Sequence, residues 1–132
     1  MLKRVVISEF LRFAAIGALA TVIHYAVLIL LVEVAHQPLI PSTSVGFTLG
    51  AIVSYSLNRR ITFRHQPHFG RGLVKFVSLG AVGLGLNALI VAAFVHVGVQ
   101  YILAQMTATG TILLWNFLVS RLLIFAPQRA AN

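Results

Sequence analysis

Aspartate is missing from this chain, and glutamate stands only at Glu9 and Glu33. These two lie at opposite ends of one apolar stretch, too far apart to share a site. A carboxylate pair for acid–base work, or for holding a divalent metal on a diphosphate, is excluded. Cysteine is missing too, which rules out disulfides and thiolate chemistry. There is no His-x-x-x-His spacing and no glycine loop running into a phosphate-binding lysine. His65 and His68 share a basic stretch with Arg64 and Arg71. A lone i, i+3 pair reads as a solvated loop rather than a metal site. Catalysis by this chain alone is not expected, nor is any metal or cofactor.

Charge of either sign is scarce, at 9% of the 132 residues, while 59% are hydrophobic. Mean hydropathy is +0.96. One domain of this length leaves much of its surface outside any core, so a soluble fold could not hide so much apolar side chain. A bilayer is the natural solvent. The net charge of +8 does not point to nucleic acid, because Lys and Arg sit at the ends of apolar runs rather than along one basic face.

A hydrocarbon core of roughly 30 Å takes about 20 apolar residues in a helix. Four stretches qualify, at about 13–34, 39–57, 76–97 and 101–119, within one membrane domain covering 1–132. Ala18-Leu19-Ala20 resembles a signal-peptide cleavage site, but the apolar run continues to Val34, too long for a signal core. Lys3, Arg4 and Arg12 precede the first stretch. Arg59, Arg60, Arg64, Arg71 and Lys75 lie between the second and third, and Arg121 and Arg129 follow the fourth. The other two connections carry no Lys or Arg. The positive-inside rule then places both termini and the central loop in the cytoplasm of a multi-pass protein of the cytoplasmic membrane.

The halves echo each other. "RFAAIGAL" (12–19) aligns with "KFVSLGAV" (75–82), and Arg59-x-x-x-Phe63 with Arg121-x-x-x-Phe125. The expected fold class is an all-α membrane protein. Its four helices form two parallel repeated hairpins, related by an axis along the membrane normal. Gly17, Gly46, Gly50, Gly80, Gly83 and Gly85 are candidates for close helix approach, which drives association where lipid offers no hydrophobic force. Gly46-x-x-x-Gly50 reads as packing within the chain.

Polar side chains inside apolar helices are costly and tend to face a bundle interior or a cavity. His24 and Asn87 each follow a basic residue, Arg12 and Lys75, by twelve positions, or about 18 Å along a helix. Ser54 and Asn116 each precede an arginine by five. These four are expected to form a polar seam beneath Arg59 and Arg60. Two roles stay open for the arginines: topogenic anchors among anionic headgroups, with Phe63 an interfacial aromatic, or holders of an anionic amphiphile.

"RFAAIGALAT", "SYSLNRRITF", "KFVSLGAVGLGLN" and "NFLVSRLLIF" together resemble the GtrA-like membrane proteins, over about Phe10 to Phe125. The resemblance implies four spans with both ends inside, and a task in cell-surface polysaccharide synthesis or glycosylation. That task is translocation of a polyprenyl-phosphate-linked sugar, beside a membrane glycosyltransferase. It places Asn58, Arg59, Phe63, Asn87, Asn116, Arg121 and Phe125 at the family's recurrent positions. His24 stands where many relatives carry an acid, and Ser120 where many carry Asn. On this reading Asn58, Arg59, Arg60 and Arg121 meet the lipid-linked phosphate, and Asn116, Ser54, His24 and Asn87 line its path. The alternatives are a non-transporting subunit of a glycosyltransferase and, third, a small drug exporter, for which an intramembrane carboxylate would be expected. A homodimer sharing one path is compatible with the same residues.

Overall fold

The computed structural model describes residues 1–127; Arg129, counted above as a cytoplasmic marker, lies outside them. The described residues are helical throughout, joined by short connections. Helix α1 covers Leu2–Ile29, α2 Leu39–Leu57, α3 Phe69–His96 and α4 Tyr101–Val119. Helices α1 and α3 begin well before the apolar stretches they contain. Nothing from Leu2 to Arg12 breaks a helix, so the polar lead-in continues the α1 turn. At α3 the His68 side chain accepts from the Arg71 backbone N–H at 3.5 Å, a weak N-cap.

Three of these segments, Leu2–Val34, Phe69–His96 and Ile102–Ile124, are long and apolar enough to cross a membrane. Helix α2 falls outside that set because Ser42, Thr43, Ser44, Thr48, Ser54 and Ser56 dilute it. Several of these hydroxyls are already spent within the helix. Ser42 donates to the Pro38 carbonyl at 2.6 Å, Ser44 to Ile40 at 2.9 Å and Thr48 to Ser44 at 2.7 Å. Such i−4 bonds lower the cost of carrying a hydroxyl away from water, which a hydropathy sum does not register.

Helix α1 packs along α2 and α3 along α4, and the two hairpins meet mainly through α2 and α3. The α1–α2 seam depends on Gly46 and Gly50. A Cβ on Gly46 would sit 2.7 Å from the His24 carbonyl oxygen, and one on Gly50 2.8 Å from that of Ala20. Only glycine allows so close an approach. Gly17 and Gly85, expected to serve in the same way, have no neighbour within 4 Å of such a Cβ. The turns at the end away from the basic residues include Gly98, whose φ of 92° favours glycine.

The core is aromatic and lies at the basic end. Phe13, Tyr55, Phe63, Phe117 and Phe125 are buried and mutually packed, with Phe10 and Phe76 beside them. Phe63 and Phe125 stack at 4.6 Å with their planes 14° apart. Edge contacts join Phe13 to Phe117 at 5.7 Å and Phe10 to Phe117 at 5.3 Å. Each such pair contributes about 0.5–1.5 kcal/mol beyond the area it buries. Phe63 is only 5% exposed. The expectation of an interfacial aromatic is therefore corrected: the ring turns inward because the backbone after Thr62 leaves the helix in an extended conformation.

Candidate functional site: an arginine-lined cavity beside a polar groove

Helices α2 and α4 both end in five-residue π-helical segments, Asn58–Thr62 and Ser120–Ile124. The Phe63 N–H bonds the Asn58 carbonyl at 3.0 Å, and that of Phe125 bonds Ser120 at 2.8 Å. A wider turn of this kind re-aims the side chains that follow it. Within the first segment Asn58 is fully buried. Its amide reaches Ser54 Oγ at 3.4 Å, and Thr62 donates to its Oδ1 at 2.7 Å. The Asn58 side chain, expected at the phosphate, thus joins Ser54 and Thr62 along one buried face.

The adjacent arginines diverge. Arg59 donates from Nε and Nη2 to the Pro67 carbonyl at 3.2 and 3.0 Å, and its guanidinium lies 5.6 Å from the Phe69 ring centroid. It holds the loop between α2 and α3 onto the bundle. Arg60 is exposed and lines a cavity of about 530 Å³ with Arg4, Arg12 and Arg64. Arg12 also donates to the Ile61 carbonyl at 3.2 Å, tying α1 to the end of α2. No ion-pair partner for these four appears among the described residues. Unit charges about 8 Å apart repel by about 0.5 kcal/mol in water and about 2 kcal/mol at an effective dielectric of 20. Four guanidiniums around one cavity therefore favour a bound anion.

Arg121 stands apart from that set. Its Nε donates to Glu9 Oε2 at 2.7 Å, with the carboxylate side chain only 11% exposed. The pair joins the start of α1 to the end of α4. Glu9 also lines the arginine cavity, and with Arg121 it lines a second cavity of about 540 Å³ on the other side of Arg64. Sequence reasoning assigned Glu9 no role. The signal available was a lone acid in an otherwise basic lead-in; its partner, 112 positions away, was not legible.

A groove of about 370 Å³ runs between the hairpins at the level of the apolar segments. His24, Ser54 and Asn116 line it, with Phe13, Phe47 and Phe76 among its apolar walls. His24 Nε2 is 3.0 Å from Thr43 Oγ1. Asn116 Oδ1 is buried without a hydrogen-bond partner among the described residues. Asn87, expected to match His24, is not on this groove; Gln105 donates to its Oδ1 at 3.0 Å. Each of the two thus bonds across its own hairpin, His24 with Thr43 and Asn87 with Gln105. Phe13 lines the groove, and its ring meets that of Phe63, a wall of the arginine cavity, at 6.3 Å. The aromatic core is thus a layer between cavity and groove.

Comparison with known proteins places the chain among membrane proteins. The family model described as GtrA/DPMS, transmembrane domain, matches residues 12–125. The uncharacterized membrane protein YngA of Bacillus subtilis (strain 168) is 27% identical over 118 residues, which is 89% of this chain and 79% of that protein. No solved structure matches the chain.

Proposed function

The chain belongs to the GtrA/DPMS transmembrane-domain family, and from that premise we propose that it moves a polyprenyl-phosphate-linked sugar across the cytoplasmic membrane. All four helices span in this reading, in two hairpins with both termini inside. Helix α2 crosses with the rest because α1 covers its glycine face and its own carbonyls accept several of its hydroxyls. The phosphodiester sits in the arginine cavity and the sugar passes along the groove. One observation carries this reading: an anion-seeking cavity adjoins a neutral polar groove, with only an aromatic layer between them.

Guanidinium groups bind phosphate oxygens through paired N–H donors, a geometry an ammonium lacks. Arg60, Arg64, Arg12 and Arg4 supply it from the ends of α1 and α2 and the following loop. In the groove, the unpartnered Asn116 Oδ1 accepts from a sugar hydroxyl, and Ser54 and His24 add further polar contacts. Tyr25 and Leu84 line the groove yet are largely exposed, which supports a lateral opening through which the prenyl tail stays in lipid. Arg59 shapes the cavity from behind by holding the loop.

The test is leaflet translocation of a polyprenyl-phosphate hexose in liposomes. Wild-type protein is expected to outpace empty liposomes. Replacing both Arg60 and Arg64 by Gln should slow movement by more than about 100-fold, since each charge-assisted contact contributes about 1.5–3 kcal/mol. Arg59→Lys should cost only a few-fold, because its partner is the protein's own Pro67 carbonyl. Full speed from the double variant would overturn the assignment of the cavity. No movement by wild type unless a glycosyltransferase is co-reconstituted would replace transport by the accessory-subunit reading.

A further inference from the structure

We propose that Glu9 sets how much negative charge the arginine cavity accepts, selecting a singly charged phosphodiester over a diphosphate. The inference rests on the phosphate-binding reading above and deepens it.

Glu9 is the one carboxylate among the described residues lining either basic cavity, and it lines both. Its side chain is mostly buried, so its charge is poorly screened by water. Arg121 holds it in place at 2.7 Å and neutralises it in part. A fixed negative charge on the wall repels an incoming anion in proportion to that anion's charge. A phosphodiester meets the penalty once; a diphosphate diester meets it twice. Arg121 sets the size of the penalty, because the guanidinium cancels part of the carboxylate's field. The pair therefore works as a charge discriminator as well as a tie between α1 and α4.

The experiment measures binding of two probes to detergent-solubilised full-length protein: the methyl esters of farnesyl phosphate and of farnesyl diphosphate, with one and two charges. Glu9→Gln keeps the shape and can still accept from Arg121. It should tighten the monoanion about 5-fold and the dianion about 25-fold, the square expected when a penalty scales with ligand charge. Arg121→Gln leaves the carboxylate uncompensated. It should weaken both probes, the dianion more. A purely structural tie would not produce opposite signs: Glu9→Gln, which keeps the hydrogen bond, would leave affinity unchanged, and a loosened tie would affect both probes equally.

Equal changes for the two probes, or changes of the same sign in both variants, would overturn the role of Glu9. Failure of the singly charged probe to bind wild type would overturn the phosphate-binding reading and this inference with it. Short-chain phosphatidylglycerol, also a singly charged phosphodiester, separates the ligand's sources. If it binds as tightly as the singly charged prenyl phosphodiester, the cavity is a general headgroup site and the lipid-linked-sugar reading falls, while the charge rule of Glu9 stands.

Discussion

The ends of α2 and α4 share one backbone device and differ in what their side chains do with it. Both close in a five-residue π-helical segment, and both deliver a phenylalanine to the same stack. Counting back from each phenylalanine, Ser54, Asn58 and Thr62 stand opposite Asn116, Ser120 and Ile124. Serine and asparagine have changed places, and threonine has become isoleucine. At the first end Thr62, Asn58 and Ser54 bond one another in sequence, although the neighbouring Tyr55 hydroxyl is buried with no partner among the described residues. The second leaves Asn116 Oδ1 and Ser120 Oγ buried without partners among the described residues. Buried polar groups are normally paired, so an unpaired set calls for an explanation. Here Ser54 and Asn116 both line the groove, while Arg59 beside the first end anchors a loop. The comparison teaches that equivalent backbone positions differ in whether their groove-lining group is already bonded: Ser54 accepts from Asn58, and Asn116 Oδ1 has no partner among the described residues.

The shared part of the device is the place to break it first. Phe63→Ala and Phe125→Ala should each destabilise by about 3–4 kcal/mol, the usual cost of truncating a buried phenylalanine. SDS-titration unfolding of the purified protein would measure both. The double variant should cost less than the two singles together, because each single already loses the stack. Strict additivity would mean that the rings act as separate plugs and that the ends are not one structural unit.

The divergent part comes next. Asn58→Ala removes an amide that accepts from Thr62 and reaches Ser54, leaving both hydroxyls without it. A loss of about 1–3 kcal/mol in the same unfolding measurement is expected, the range for orphaning buried polar groups. Translocation by the folded fraction should change little, since Asn58 is fully buried and faces neither cavity nor groove. A large transport defect without a stability defect would return Asn58 to the ligand side of the comparison.

These differences mark how far the sequence could be read. Hydropathy located all four helices, and α2 and α4 begin where their apolar stretches begin, but both continue past the stretches' ends as π-helical turns to Thr62 and Ile124. The starts of α1 and α3 were not legible, since a polar lead-in with no helix breaker carries no boundary signal. Of the residues expected to meet a ligand, His24, Ser54 and Asn116 share the groove and Arg60 lines the arginine cavity. Depth along a helix is readable from spacing; rotation about its axis is not, so spacing could pair Asn87 with His24 but not show that only His24 lines the groove. The directions of Arg59 and Arg60 were equally hidden, because neighbours on a helix point about 100° apart and a π-helical turn alters that angle further. Arg4, Arg12 and Arg64 were read only as markers of orientation. Their convergence depends on the contacts of α1 with the end of α2, which no local pattern records.

The smallest effect tests the sharpest form of the comparison. Ser120 is fully buried and its hydroxyl has no partner among the described residues, whereas Asn58, its counterpart, is bonded to Ser54 and Thr62. Removing an unsatisfied hydroxyl removes a desolvation penalty and loses no bond. Ser120→Ala should therefore be neutral or stabilise by up to about 1 kcal/mol, the opposite sign from Asn58→Ala. The side chain shrinks by a single oxygen, so any cavity left is too small to offset that gain by much. Measured side by side, the two variants weigh one backbone position in two chemical settings. If Ser120→Ala destabilises as much as Asn58→Ala does, the Ser120 hydroxyl has a partner in the membrane, and the second end is as closed as the first.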